Sequence, residues 1–129
     1  MSLTLEDALR AYAKALNTLN PAPLERILAV DFHYSSQMVF QEITSKDAFL
    51  DYFKVKLQAI EKSKATVFAE MGKMPEYFRY EPCVVVAQDG KDNLVGVVLG
   101  EVESNQLKRL DFCIAPCPSS ATRTGDYPR

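Results

Sequence analysis

Apolar residues recur every three or four positions near the amino terminus, at Leu5, Leu9, Tyr12, Leu16 and Leu19, which is the spacing of one face of an α-helix. Thr4, with Asp7 three places on, supplies capping residues for the first turn. Asn20-Pro-Ala-Pro23 ends this helix and opens a short second one, with Leu24, Ile27 and Leu28 as its apolar stripe. From Phe32 to Ile43 the residues become β-branched, aromatic and hydroxylated, which predicts two short strands with a bend at Ser35-Ser36-Gln37. Helix resumes at Thr44 or Ser45, and Phe49, Phe53, Leu57 and Ile60 form its buried stripe, with Tyr52 and Lys56 at the border.

The second half reads as strands. Residues 66–71 form one, and the apolar run Cys83 to Ala87 forms another that is buried on both faces. Turn signals at Asp89-Gly90 and Ser104-Asn105 divide the rest into an antiparallel meander over roughly 82–88, 93–103 and 106–115. Alternation in the last strand sends Leu107, Arg109, Asp111 and Cys113 to one face and Lys108, Leu110, Phe112 and Ile114 to the other, until Pro116 stops it. Such a strand fits a curved sheet with a pocket. The loop over 72–82 is rich in large residues, with Met71 and Met74 beside it and Tyr77, Phe78 and Tyr80 inside, a composition suited to covering something. Residues 116–129 have no periodicity and form a tail that is either an extended arm on the surface or disordered.

A chain of 129 residues with 47% hydrophobic content suits one α+β domain, placed at 1–115 with the tail following it. Fifteen basic against 17 acidic residues, without a dense Lys/Arg patch, lack the electrostatic footprint of a nucleic-acid binder. No apolar run approaches the ~20 residues that span a bilayer. Glu6 and Asp7 stand where a signal peptide would be basic and then apolar, so the expectation is a cytoplasmic protein without membrane or nucleic-acid partners. Three cysteines favour reduced thiols, with Cys83 and Cys113 as small core residues. Cys113, Cys117 and His33 are a poor metal set, and no metal or cofactor is expected. There is no phosphate-cradling glycine loop and no nucleophile elbow.

Asp111 is the first carboxylate of interest, because a charge between Leu110 and Phe112 needs a partner or a purpose. Arg109 lies on the same face, so the pair is either a structural ion pair or a site that binds or protonates a ligand. His33 is either a proton shuttle or an exposed strand residue. Tyr34, Ser36 and Gln37 offer hydroxyl and amide groups to a small polar group, or simply brace a hairpin. Tyr12 and Tyr52 are core or pocket lining, and Glu70 is a pocket carboxylate or faces solvent.

Three stretches carry a family resemblance: Leu24-Glu-Arg-Ile-Leu-Ala-Val-Asp-Phe32, Ser45-Lys-Asp-Ala-Phe-Leu-Asp-Tyr-Phe53 and Leu107-Lys-Arg-Leu-Asp111. With the order of elements, they make residues 3–115 resemble the nuclear-transport-factor-2-like superfamily, which includes SnoaL-like cyclases and ketosteroid isomerases. The resemblance implies a cone, in which amino-terminal helices pack in a strongly curved mixed β-sheet, with a cavity at the wide end and dimers formed through the outer face. A homodimer is also expected because Leu94 to Leu99 is apolar on both faces while helices cover only one. In the isomerase branch a carboxylate base follows the first strand; here Tyr34-Ser35-Ser36-Gln37 stands there, with Ser36 in place of the base. An unassisted serine cannot abstract a carbon-bound proton. The first expectation is therefore a domain that binds a small, largely apolar molecule without catalysis. The alternatives are a SnoaL-like enzyme using Asp111 or His33 as acid/base, and a dimeric interaction module whose cone is filled.

Overall fold

Thr4 Oγ1 accepts the Asp7 amide at 3.0 Å and starts helix α1, Leu5–Thr18. Leu19 ends it in the left-handed conformation at φ 52°. Ser45 caps α3, Lys46–Ser63, in the same way by accepting the Ala48 amide at 3.1 Å. The computed structural model describes residues 2–37, 39–75 and 81–129. Between the two long helices lie a single turn, α2 (Ala22–Glu25), and strands β1 (Leu28–Ser36) and β2 (Val39–Ile43). Strands β3 (Val67–Lys73), β4 (Pro82–Gln88), β5 (Leu94–Glu103) and β6 (Gln106–Cys113) follow, then a 3₁₀ turn at Pro118–Ser120 and the short β7, Thr122–Arg123.

The strands form one curved mixed sheet in the order β2-β1-β6-β5-β4-β3-β7. All neighbours are antiparallel except β1 and β6. That parallel pairing corrects two sequence expectations. Leu28 pairs with Leu107, and the Leu107 amide donates to the Ile27 carbonyl at 2.8 Å, so the second helix stops after one turn and the chain enters β1 early. Ser35 and Ser36 pair with Asp111 and Phe112 and continue the strand where a bend is expected. Local sequence carries no sign of a partner more than seventy residues away. The turn at Ser104-Asn105 is as read, both residues having positive φ, 53° and 62°, as a two-residue hairpin requires.

Helices α1 and α3 cover one face of the sheet. Leu9, Tyr12, Leu16, Phe49, Phe53 and Leu57 meet Phe32, Tyr34, Val84, Val86, Val98 and Leu110 there. Leu107 joins this inner core too, contrary to simple alternation, because the register between β5 and β6 slips between Glu101 and Val102 and leaves Lys108 as an extra residue. Beyond the slip the expected parity holds, with Leu110 and Phe112 inward and Arg109, Asp111 and Cys113 outward.

The outer face has its own small core of Met74, Cys83, Val85, Val97 and Cys113, with Leu94, Leu99 and Ala121 at its edge. Val97 and Cys83 are fully buried within the single chain. The premise of a bare outward face awaiting a second copy does not hold over these residues. Burial pushes the Cys83 thiol up to about 12, which makes it an inert core residue. The tail continues from this cluster round the edge of β3. Thr122 and Arg123 pair with Lys73 and Gly72, and the Met71 amide donates to the Asp126 carbonyl at 2.8 Å. Asn17 of α1 then donates to the carbonyls of Ala69 and Pro128, both at 2.8 Å. The tail thus occupies hydrogen-bonding groups that an edge strand would leave exposed. Gly72 and Lys73 belong to β3 and not to the loop expected over 72–82, while its Tyr77, Phe78 and Tyr80 lie outside the described residues.

Phe112 lies against Gly96 of the neighbouring strand so closely that a Cβ at residue 96 would stand 2.3 Å from the ring Cζ. Gly96→Ala is expected to lower stability by about 1–3 kcal/mol in denaturant unfolding, since the ring must leave its place. In a Phe112→Ala background the same change should cost far less; equal costs in both backgrounds would contradict the packing described.

Candidate functional site

The inner face of β6 and β5 forms the floor of a cavity at one end of the helix layer. Phe112 and Val95 supply the floor, and Lys56, Ala59 and Ile60 of α3 hang over it. Leu16 of α1 and Val67 and Val86 of β3 and β4 close the far wall, around about 370 Å³. A second compartment of about 280 Å³ shares Lys56, Gln88, Val95 and Phe112, and adds Tyr34, Ser36 and Tyr52. A third, of about 320 Å³, continues from Tyr34, Ser36 and Tyr52 towards Glu42 and Thr44. Each volume is comparable to the lower end of small-molecule sites, and the largely apolar lining with a few polar groups is their usual character.

Lys56 sits at the junction of the first two compartments. Its Nζ lies 5.4 Å from the centroid of the Phe112 ring, within cation–π range. Among the described residues no carboxylate lines either compartment, and Lys56 takes part in no ion pair. Desolvation accordingly pulls its pKa below the ordinary lysine value. Beside it, burial pushes the Tyr34 phenol up, with the hydroxyls of Tyr12, Tyr52 and Ser36 around it. The Tyr34 and Tyr52 rings stand 5.5 Å apart and both pack on Phe49. The wall is therefore built of neutral phenols around one ammonium.

Tyr34, Ser36 and Tyr52 are thus brought together on the cavity. Tyr12 is not on its surface. It is fully buried behind it against Phe53, with ring centroids 6.1 Å apart.

The charged candidates lie on the opposite face of the sheet. Arg109 Nε donates to Asp111 Oδ2 at 2.9 Å, and its Nη2 reaches Glu42 Oε1 at 2.7 Å. His33 Nδ1 is 3.2 Å from Glu42 Oε2, and Ser35 Oγ donates to Asp111. The pairing of His33 with Arg109 and of Ser35 with Asp111 across β1 and β6 sets this network. His33 and Arg109 hold the Glu42 carboxyl below its ordinary range. Asp111, Arg109 and His33 are therefore joined to one another, and none of the three lines a compartment; Glu42, the partner of Arg109 and His33, is the member of the network that borders the third.

Gln37 and Glu70 also serve the frame. The Gln37 amide oxygen accepts from the Ile114 and Ala115 amides at 2.6 and 2.8 Å, and its nitrogen donates to the Ala115 carbonyl at 2.7 Å. Both ends of the side chain are committed to the backbone beyond β6. Glu70 is buried and faces neither pocket nor solvent. It accepts from Arg123 Nε and from the Gly125 amide, each at 2.7 Å, and so anchors the tail. Sequence reading placed Lys56 only at a helix border and did not single out Phe112, Gln88 or Val95 as site residues. One signal was available: Phe49, Phe53, Lys56 and Ile60 share one helical stripe, and a lysine at such a position is either snorkelling or lining a pocket.

Lys56→Met removes a desolvated charge and is expected to raise Tm at neutral pH. The folded pKa lies below the ordinary 10.5, so the penalty is full below the folded pKa and disappears as pH climbs from there past the ordinary value. The gain of the variant should shrink over the same alkaline range in thermal melts. A lower Tm than wild type at neutral pH would contradict it.

No protein-family model matches the sequence, and no curated protein does. Solved structures do. An NTF2-like protein of unknown function from Cytophaga hutchinsonii superposes with a TM-score of 0.58 at 15% identity, over 90% of this chain and 96% of that one. A SnoaL-like protein of unknown function from Burkholderia thailandensis gives 0.58 at 14% identity, over 97% and 100% of the two chains. An uncharacterized cystatin fold protein from Novosphingobium aromaticivorans gives 0.57 at 14%, over 88% and 98%. At such identities the likeness concerns architecture. It agrees with the helices packed on a curved mixed sheet described above. This chain has the nuclear-transport-factor-2-like, cystatin-like α+β fold.

Proposed function

We propose that this protein binds a small, largely apolar molecule in the cavity between α3 and the inner face of the sheet, and that binding, without turnover, is its basic act. The observation that carries this reading is the lining of the compartment of about 370 Å³ by Leu16, Ile60, Val67, Val86, Val95 and Phe112, where Lys56 is the one charged group among the described residues. Burial of an apolar ligand against such walls contributes about 25 cal/mol for each Å² removed from water. The separation of Asp111 and His33 from the cavity supports binding over an acid/base mechanism built on either residue.

Ala59 lies on the exposed side of α3 at the rim, where a larger side chain fills the compartment without entering the core. Wild-type protein is expected to bind octanol in calorimetry, and native mass spectrometry of fresh material to show a retained small molecule. Ala59→Trp should lose both while keeping its Tm. Octanol binding unaffected by Ala59→Trp, or absent from the wild type, would overturn the proposal.

A further inference from the structure

The compartments at Lys56 are unequal in a way that bears on the chemistry of the occupant. Towards Ile60, Val67 and Val86 the walls are hydrocarbon. Towards Tyr34 and Tyr52 they carry hydroxyls. Lys56 stands between them with the Phe112 ring on one side of its ammonium. The carboxylate on the continuation of the cavity, Glu42, is taken up by Arg109 and His33. Asp51 lines an open depression on α3 that Lys56 also borders, and the two form no ion pair. Among the described residues the positive charge of Lys56 is therefore offset by a ring face and by no ion pair, and a ring face is worth less than an ion pair in a partly desolvated place.

Resting on the apolar-binding reading, we infer that the occupant is an amphiphile with an anionic head, a monocarboxylate in the simplest case, whose head pairs with Lys56 while its hydrocarbon part fills the space beneath Ile60. Opposite charge restores what burial takes from the ammonium, and a carboxylate also accepts hydrogen bonds from neutral donors such as the Gln88 amide and Tyr52 hydroxyl at the same junction. An amine head would meet Lys56 with like charge and no carboxylate to receive it. A neutral head gains only ordinary hydrogen bonds. The order of preference is thus fixed by the charge of one residue, and the apolar walls set only the size of the tail.

Octanoate, octanol and octylamine have nearly the same tail and differ in the charge of the head, so calorimetry with the three separates the two claims. Octanoate is expected to bind at least about tenfold more tightly than octanol, the size of one charge-assisted hydrogen bond, and octylamine more weakly than either. Lys56→Met should erase the preference, bringing the affinity for octanoate down to that for octanol, and Lys56→Arg should retain it. Equal affinities for octanoate and octanol in the wild type would overturn the anionic head and leave the apolar reading standing. A preference that survives in Lys56→Met would overturn the role of Lys56. Failure of all three to bind would remove the apolar reading and the inference together.

Discussion

The contact on which the interior depends is the ring of Phe112 laid over Gly96. Only a residue without a side chain lets the aromatic ring settle flat on the adjacent strand, and the approach is too close for any Cβ. That placement makes the ring a floor at the centre of the sheet and leaves open space between it and α3. It also fixes the parity of β6 beyond its bulge. With Phe112 and Leu110 turned inward, Arg109 and Asp111 must turn outward, where they meet Ser35 and Glu42. One strand thus divides apolar binding space from a charged brace, and neither can move to the other face without a slip in register.

The outward side is held by a different device. Part of the outer face of the sheet is closed by the chain's own carboxy-terminal segment. Pro118 is buried and Ala121 packs on the small outer core, Arg123 ties to Glu70, and Asn17 gathers β3 and Pro128 to α1. The same segment that covers Val85 and Val97 also satisfies the edge of β3. A buried carboxylate such as Glu70 is tolerable only with these partners, since an unpaired one would cost several kcal/mol.

Much of the architecture was legible because periodicity and caps are local. Thr4 caps the first helix as expected, the third starts at the expected place with Ser45 as its cap, and the hairpin at Ser104-Asn105 stands where its residues place it. What was not legible depends on long-range pairing. The early start of β1 at Leu28 and the passage of the strand through Ser35 and Ser36 both rest on parallel contact with β6. The bulge at Lys108, which turns Leu107 inward, is a matter of register with β5. The site was legible to a similar extent. Tyr34, Ser36 and Tyr52, which the sequence left as either pocket or structural residues, line a compartment. The charged residues drew attention because they are chemically conspicuous, yet Asp111, Arg109 and His33 satisfy one another. Lys56, the charge that faces the cavity, is inconspicuous on a helix where lysines commonly border the apolar stripe.

The division of β6 into two chemical faces is tested most directly by proton NMR of the folded protein. Phe112 ring protons should show nuclear Overhauser contacts to the Gly96 Hα protons and the Lys56 ε-methylene, with ring-current displacement of both. Asp111 and Arg109 should show contacts to Ser35 and none to α3. Contacts from Asp111 or Arg109 to Lys56 or Tyr52, with the Phe112 ring averaged in solvent, would contradict the account.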